Sequence, residues 1–344
     1  MSPYIAKIRK KGQPILLIDG YAGPGVFDDG TIGSPMFMCQ TADRYAKGKW
    51  EAIFINKEAK YHNKLTQVIQ QAGWSGTAKT MRGDTTQVLQ KLPTQIDSQS
   101  VFLYLDPFGP TGCDYALLKP FLSRNPKFST EILLTMNMPG MHRLATPRAV
   151  RAGRQDEQMI REFHQKLTNV FGGEYWKDIL WQNIDAEKRE VQLIEAYQAK
   201  LAQYLPFTRS CPVRERSNRR IKYFIVFASR HRDALVLLND FMTKAYFARM
   251  HEADFSAGLW EDTDWREMRS IDGLDSAIID AVTSHPGETR ESIWFHVVDK
   301  HFMQYLEPEY KQAVQRLIDS KKLVSPTSRK TKNLNDGCIL LPGA

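Results

Sequence analysis

Short apolar runs recur through the first half of the chain, each followed by a stretch with helical spacing. They are Ile15 to Asp19, Ala52 to Asn56, the weaker Thr77 to Arg82, Val101 to Leu105 and Glu131 to Met136. A strand with one wet face alternates apolar and polar residues, whereas most of these do not alternate. They are therefore expected to be buried on both faces, which in an α/β order means a parallel sheet clothed by helices. The helices read as Ser34 (N-cap) with Pro35 at the first helical position, running to Ala46, then Glu58 to Gln71, a short one around Val88, and Tyr115 to Leu122. After an arginine-rich connection from Arg143 come helices over Asp156 to Val170 and Ala186 to Leu205. A basic strand (Thr208 to Arg216), a turn at Ser217 and Asn218, and the apolar strand Tyr223 to Ala228 form a terminal antiparallel hairpin. A helix from Asp233 to Arg249 closes a first domain over residues 1–250.

An acidic stretch, Glu252 to Asp275, carries Trp260 and Trp265 and reads as a linker over 251–273. Residues 274–344 then give helices Leu274 to Ser284, Glu291 to His301 and Pro308 to Lys321, a strand, a basic loop over Ser328 to Asn333, and a strand from Cys338 to Leu341. Three helices followed by a two-stranded wing is the winged-helix order, a module that docks either DNA or protein. At 344 residues the chain has room for this two-domain plan. With 42% hydrophobic and 25% charged residues it is neither disordered nor a disulfide-stapled miniature. No apolar run approaches the roughly 18 residues a membrane span needs, and the first twenty residues lack a secretory pattern, so a cytoplasmic location is expected. Cys39, Cys113, Cys211 and Cys338 lie far apart without a Cys-x-x-Cys pair, so reduced structural thiols are expected and no metal site.

The net charge of +8 is unevenly spread. Arg209, Arg214, Arg216, Arg219, Arg220, Lys222, Arg230 and Arg232 face only Glu215. Arg143, Arg148, Arg151 and Arg154 have no acid between them, and Lys321, Lys322, Arg329, Lys330 and Lys332 make a third cluster. Concentrated positive charge on an otherwise acidic chain suits a phosphate track, so nucleic acid is the expected partner, DNA before RNA; any single cluster could equally be a solvated face. Candidate contacts are Arg143, Arg148, Arg151, Arg154, Arg214, Arg216, Arg219 and Arg220, with Lys311, Arg316 and the wing residue Lys330 from the C-terminal region.

The first strand delivers Asp19-Gly20-Tyr21-Ala22-Gly23-Pro24-Gly25, and the fourth ends in Asp106-Pro107-Phe108-Gly109. In a doubly wound sheet the ends of strands one and four flank one crevice, so both sequences are expected at a single pocket. Asp28 stands where a dinucleotide fingerprint wants a further glycine, which disfavours NAD. Each aspartate also has a structural alternative, a helix cap or a turn for Asp106, and a cap for Asp19 and Asp84. The histidines show no metal-pair spacing, and His142, the only one near a strand end, reads as a loop residue sooner than a catalytic one. Neither a serine-hydrolase elbow nor a phosphate loop is present.

In combination these motifs resemble class I S-adenosylmethionine-dependent methyltransferases. Asp-Pro-Phe-Gly is similar to the fourth-strand signature of enzymes that methylate amino groups in nucleic acids, the tRNA guanine-N2 dimethyltransferases among them. More narrowly, Ile18 to Gly25, Gly33-Ser34-Pro35, Leu105 to Gly109 and Tyr223 to Ser229 resemble the three-Cys-motif partner proteins of bacteria, over about residues 13 to 250. The resemblance implies a Rossmann-like methyltransferase sheet, S-adenosylmethionine as cofactor, and a separate three-cysteine partner protein that acts in radical chemistry. It implies that Asp19, Gly20, Tyr21, Ala22, Gly23 and Gly25 hold the methionine part of the cofactor. Asn56, or Glu58 in its place, would meet the ribose, and Asp84 the adenine amino group. It makes Asp106, Pro107, Phe108 and Gly109 catalytic: Asp106 and the Pro107 carbonyl accept the hydrogens of an exocyclic amine, Phe108 stacks on the base and Gly109 leaves room. Two functions follow. One is a nucleobase amino-methyltransferase. The other is a non-catalytic nucleic-acid-binding subunit that positions the three-cysteine partner in a DNA-modification or phage-defence system.

Overall fold

The unalternating runs form the middle of a seven-stranded sheet. The computed structural model describes residues 2–96, 98–146, 157–256, 264–326 and 335–343. The strands are β1 (Ile15–Asp19), β2 (Trp50–Asn56), β3 (Ala78–Arg82), β4 (Ser100–Leu105), β5 (Thr130–Asn137), β6 (Phe207–Arg214) and β7 (Ile221–Ser229), in the order β3-β2-β1-β4-β5-β7-β6. The first five are mutually parallel, and β7 runs antiparallel to both β5 and β6. This is the α/β Rossmann-like sheet of the methyltransferase type, with its reversed hairpin strand.

Every residue of β1 is buried because successive side chains feed different cores. Leu17 joins Phe54, Ile5, Ala42, Leu65 and Ile69 under helices α1 (Ser2–Lys10), α2 (Ser34–Ala46) and α3 (Ala59–Gln71). Leu16 and Ile18 join the opposite core with Leu89, Leu118, Met141, Leu167 and Trp176. That face is covered by α4 (Thr85–Lys91), α5 (Tyr115–Leu122), α6 (Met138–Ala145), α7 (Glu157–Phe171), α8 (Tyr175–Leu180) and α9 (Ala186–Ala202).

Several boundaries differ from the sequence reading. Helices α1, α6 and α8 were not expected, and β2 starts two residues early at Trp50. His142, expected in a loop, lies on α6 with its Nε2 2.8 Å from Glu190 Oε1. Ser34 does not cap α2: Gly33 holds that position, and the Ser34 hydroxyl donates instead to Asp19 at 2.6 Å. The four cysteines are buried and unbridged.

Contacts divide the chain into two units, Met1–Arg214 with Arg220–Arg230, and Glu215–Arg219 with His231–Ala344. The helix expected to end the first domain, α10 (Arg232–Phe255), is longer than expected and groups with the second unit. Trp260 and most of the acidic stretch before Asp264 lie outside the described residues, and Trp265 starts a short helical turn. The second unit continues with α11 (Leu274–Ser284), α12 (Arg290–Lys300) and α13 (Glu307–Asp319), followed by β8 (Leu323–Val324) paired with β9 (Leu341–Pro342). A third segment joins this small sheet between α11 and α12. Thr289 bridges Ile339, the Leu340 N–H donates to the Glu288 carbonyl at 3.0 Å, and the Gly287 N–H donates to the Leu340 carbonyl at 3.1 Å. Ile278, Ile293, Trp294, Tyr310 and Val314 are buried within the unit, with the Trp294 and Tyr310 rings stacked at 4.8 Å. The basic loop Ser328 to Asn333 lies outside the described residues. Among the described residues no helix is long and apolar enough to cross a membrane.

Candidate functional site

Asp19 at the end of β1 stands in register with Tyr104 near the end of β4. The two special loops therefore leave the sheet side by side, where the helices that follow β1 and β4 diverge to opposite faces. The Gly20 N–H donates to the Tyr104 carbonyl at 3.0 Å, and the Tyr21 hydroxyl crosses to the Gly112 carbonyl at 2.9 Å. A third element joins them through the Thr85 hydroxyl at the start of α4, which donates to the Gly20 carbonyl at 2.5 Å. Between these loops lies a cavity of about 920 Å³, within the size range of small-molecule and cofactor sites.

Gly20, Tyr21, Ala22 and Gly23 line this cavity as expected. Gly20 has no room for a side chain, since a Cβ there would run into Leu105 and lie 3.0 Å from Thr85 Cγ2. Gly23 turns at φ 62°, in the left-handed region where glycine carries no steric cost. Two of the expected cofactor contacts do not line the cavity. Gly25 lies beneath the loop, where its Cβ would meet Leu65 at 2.7 Å. Asp19 is fully buried, with Oδ1 accepting from the Tyr21 N–H at 2.9 Å and Oδ2 from Ser34. Burial pushes its carboxyl up to about 6 against the pull of those hydrogen bonds. Asp19 thus ties the glycine loop to the start of α2.

At the end of β2, Asn56 donates its amide to the Gly23 carbonyl at 2.9 Å, fastening the loop after β1 to the neighbouring strand. Glu58, exposed and lining the cavity, is the nearest carboxylate beyond it. Asp84 both caps α4, accepting from the Thr86 N–H at 3.0 Å, and lines the cavity, with Lys57 at 3.3 Å. The partially buried carboxyl is held below its usual range by Lys57 and the Thr86 amide, which outweigh its desolvation.

Asp106, Pro107, Phe108 and Gly109 line the β4 side. Asp106 is no helix cap: the residue before α5 is Asp114, eight positions on. One Asp106 oxygen accepts from the Tyr104 hydroxyl at 3.0 Å and the other from Thr135 on β5, so hydroxyls of two strands fix the carboxylate at the cavity edge. Desolvation, with Asp106 beside it, drives the Tyr104 phenol well above its ordinary range, so it stays a donor. Phe108 is 98% exposed, an aromatic ring packed on nothing. A Cβ at Gly109 would meet nothing within 4 Å, so crowding does not demand glycine there.

Sequence reasoning missed five contributors. Asp114 lines the cavity half-buried, and desolvation raises its carboxyl. Lys166 and Asn169 line it from α7, and Phe27 and Ile32 from the loop between β1 and α2. That loop is a small hairpin closed by the Val26–Ile32 bridge and tied to α3 through Asp28 and Lys64 at 2.7 Å. The signal for the hairpin was Phe27-Asp28-Asp29-Gly30, a turn sequence flanked by apolar residues.

The expected nucleic-acid contacts separate into distinct groups. Tyr223 on β7 pairs with Asn137 at the carboxyl end of β5, so β7, entered from the β6–β7 turn, begins at the carboxyl end of the parallel strands. Arg216, Arg219 and Arg220 are exposed in that turn, whereas Arg214 pairs with Glu187 at 2.5 Å. Arg143 is exposed on α6. Arg148, Arg151, Arg154 and Lys330 lie outside the described residues. Lys311 and Arg316 on α13 both face acids, Glu307 at 2.6 Å and Asp275 at 2.9 Å respectively. Among the described residues no cluster of three or more histidines, cysteines or carboxylates could hold a metal.

No family model matches the chain, and no curated protein does. Solved structures do resemble it. The O-methyltransferase of Bacillus cereus, in complex with S-adenosylhomocysteine, is 12% identical over 66% of this chain and 79% of its own, with a TM-score of 0.35. The O-methyltransferase TomG of Streptomyces achromogenes, involved in tomaymycin synthesis and in complex with S-adenosylmethionine, is 12% identical over 67% of this chain and 79% of its own, with a TM-score of 0.34. At these scores the fold assignment rests on the strand order and register rather than on the superpositions.

Proposed function

We propose that the chain is an S-adenosylmethionine-dependent methyltransferase that modifies the exocyclic amino group of a nucleobase in DNA or RNA. The observation that carries this reading is the meeting, in one cleft, of a glycine loop after β1 with a fixed carboxylate and an unpacked aromatic ring after β4. The residues present fit the cofactor: the Gly20 to Pro24 backbone offers close approach, and Glu58 and Asp84 offer carboxylates to the ribose hydroxyls and the adenine amine. When bound, S-adenosylmethionine supplies a methyl group activated by its sulfonium.

The protein's own task is alignment. An exocyclic amine has its lone pair drawn into the ring, and a fixed hydrogen-bond acceptor beside it pulls it toward tetrahedral geometry. Asp106, held by Tyr104 and Thr135, is that acceptor, with the Pro107 carbonyl as the second. Phe108 stacks on a base that has left its helix. Fixed dipoles and orientation, rather than a strong base, lower the barrier.

The candidate phosphate contacts are the exposed arginines of the β6–β7 turn and, separately, Arg143 on α6. The second unit is read as a winged helix, because its helix order and three-segment sheet match that plan. The motifs quoted above support a three-Cys-motif partner protein working with this chain. A second reading, a non-catalytic subunit that positions that partner, draws on one observation: Asn56 stands at the β2 end and spends its amide on Gly23. Incubation with isotope-labelled S-adenosylmethionine and bulk DNA or RNA, followed by mass spectrometry of the nucleosides, tests the enzyme reading. Label on an amino-methylated base supports it. No label in any nucleoside, with nucleic acid still bound, favours the subunit.

A further inference from the structure

The cleft has a wall that the motifs do not mention. Within α7, Leu167, Val170 and Phe171 are fully buried, and Thr168 accepts from the Trp176 indole at 3.1 Å. These contacts turn Lys166 and Asn169, one helical turn apart, onto the cleft. The end of α7 is held close to the catalytic loop. Gly172 follows at φ 64°, and a Cβ there would lie 2.6 Å from the ring of Tyr115, the first residue of α5 after the Asp106 loop.

Two of the lysines on the opposite side of the cleft are already matched, Lys57 with Asp84 and Lys64 with Asp28. Lys166, by contrast, faces no acid among the described residues and lies over the Phe163 ring at 5.2 Å. Asn169 accepts from Gln165 at 2.9 Å, which turns its carbonyl toward Gln165 and leaves its NH₂ to donate. The cleft therefore offers a cation and an amide donor on its α7 wall and an unpacked ring on its β4 side. A nucleotide in a strand matches all three, through its phosphate, the acceptor edge of its base or its sugar, and its stacking face.

We propose that Lys166 and Asn169 form the acceptor-side subsite of the cleft and hold one nucleotide of a single-stranded or flipped-out segment, Lys166 on its phosphate and Asn169 on its base or sugar. This rests on the nucleic-acid reading of the same site. The test uses the full chain and fluorescein-labelled single strands of DNA and of RNA, followed by anisotropy across a salt series, with and without S-adenosylhomocysteine. K166A is expected to weaken strand binding by about fivefold and to reduce the log–log salt slope by about 0.7. N169A is expected to weaken it about threefold with the slope unchanged. Calorimetry should show S-adenosylhomocysteine binding unaltered in both variants, since neither residue is among those assigned to the cofactor. Wild-type affinity and slope retained in K166A would overturn the subsite, as would wild-type protein that binds S-adenosylhomocysteine but neither strand. If S-adenosylhomocysteine does not bind, the cofactor reading falls, while the effect of K166A without it still decides the subsite.

Discussion

Asp19 and Asp106 end neighbouring strands, yet their surroundings give them opposite work. Asp19 is sealed in and serves the backbone, whereas Asp106 is exposed and oriented by two hydroxyls. Their positions at strand ends were readable from sequence. Their difference was not, because it depends on two hydroxyls distant in the chain: Ser34, whose place in the Gly33-Ser34-Pro35 motif suggested a helix cap, and Thr135, which belongs to no motif.

The buried carboxyls also set a pH dependence. Burial lifts Asp19 from 3.8 to about 6, and Glu131, at the opposite end of the sheet, from 4.5 to about 7. Between those limits the folded chain holds protons that the unfolded chain has released, so stability falls as pH rises from about 4 to 7. Urea unfolding across that range checks this. D19N should flatten the part below pH 6 and E131Q the part extending to pH 7, and a wild-type profile that rises through the window would refute the assignment. D106N should leave cofactor affinity within about twofold while lowering methyl transfer at least a hundredfold, a loss on the scale of one oriented electrostatic contact. Unchanged methyl incorporation would remove Asp106 from the chemistry.

At the scale of elements, the site is a junction of loops, and its closest joint is Gly112. The residue lies at φ 106°, and a Cβ there would collide with the Tyr21 hydroxyl. G112A should cost about 1–3 kcal/mol, as strained backbone positions do, and should weaken cofactor binding by separating the two loops. A urea midpoint and a calorimetric titration of the same sample read both effects. The strands were legible because burial on both faces leaves an unbroken apolar run. Helix α6 was not, because proline and glycine are poor helix formers, although here Pro139 fits the first turn and Asn137 caps the helix through the Gly140 N–H at 2.7 Å. The β6–β7 hairpin was legible from the turn signal at Ser217 and Asn218. Replacing Arg216, Arg219 and Arg220 together with glutamate should lower polynucleotide affinity at least tenfold and flatten its salt slope, because several phosphate contacts go at once. An affinity that does not move would make the turn a solvated surface.

Across the whole molecule, charge and fold divide the labour differently from the sequence-based expectation. The candidate cations of the sequence are not equivalent in the structure, because acids answer some of them, from the same helix for Lys311 and from α11 for Arg316. Lys311 and Arg316 of α13 are ion-paired, and that helix also carries Glu309 and Asp319. Alanine at Lys311 and Arg316 should therefore change polynucleotide affinity by less than about twofold, since exposed pairs of this kind contribute little and the helix is near neutral. A large loss, measured in the same anisotropy assay, would return α13 to the phosphate track. Helix α10, which the sequence places at the close of the first domain, groups by its contacts with the second unit.

The central claim is that the loops after β1 and β4 build one cofactor cleft, and calorimetric titration of the full chain with S-adenosylmethionine tests it most directly. The account predicts saturable binding at one site per chain, weakened about tenfold in E58A and in D84N and unaffected in D106N. No heat of binding to the folded wild-type protein, or binding that neither E58A nor D84N alters, would contradict it.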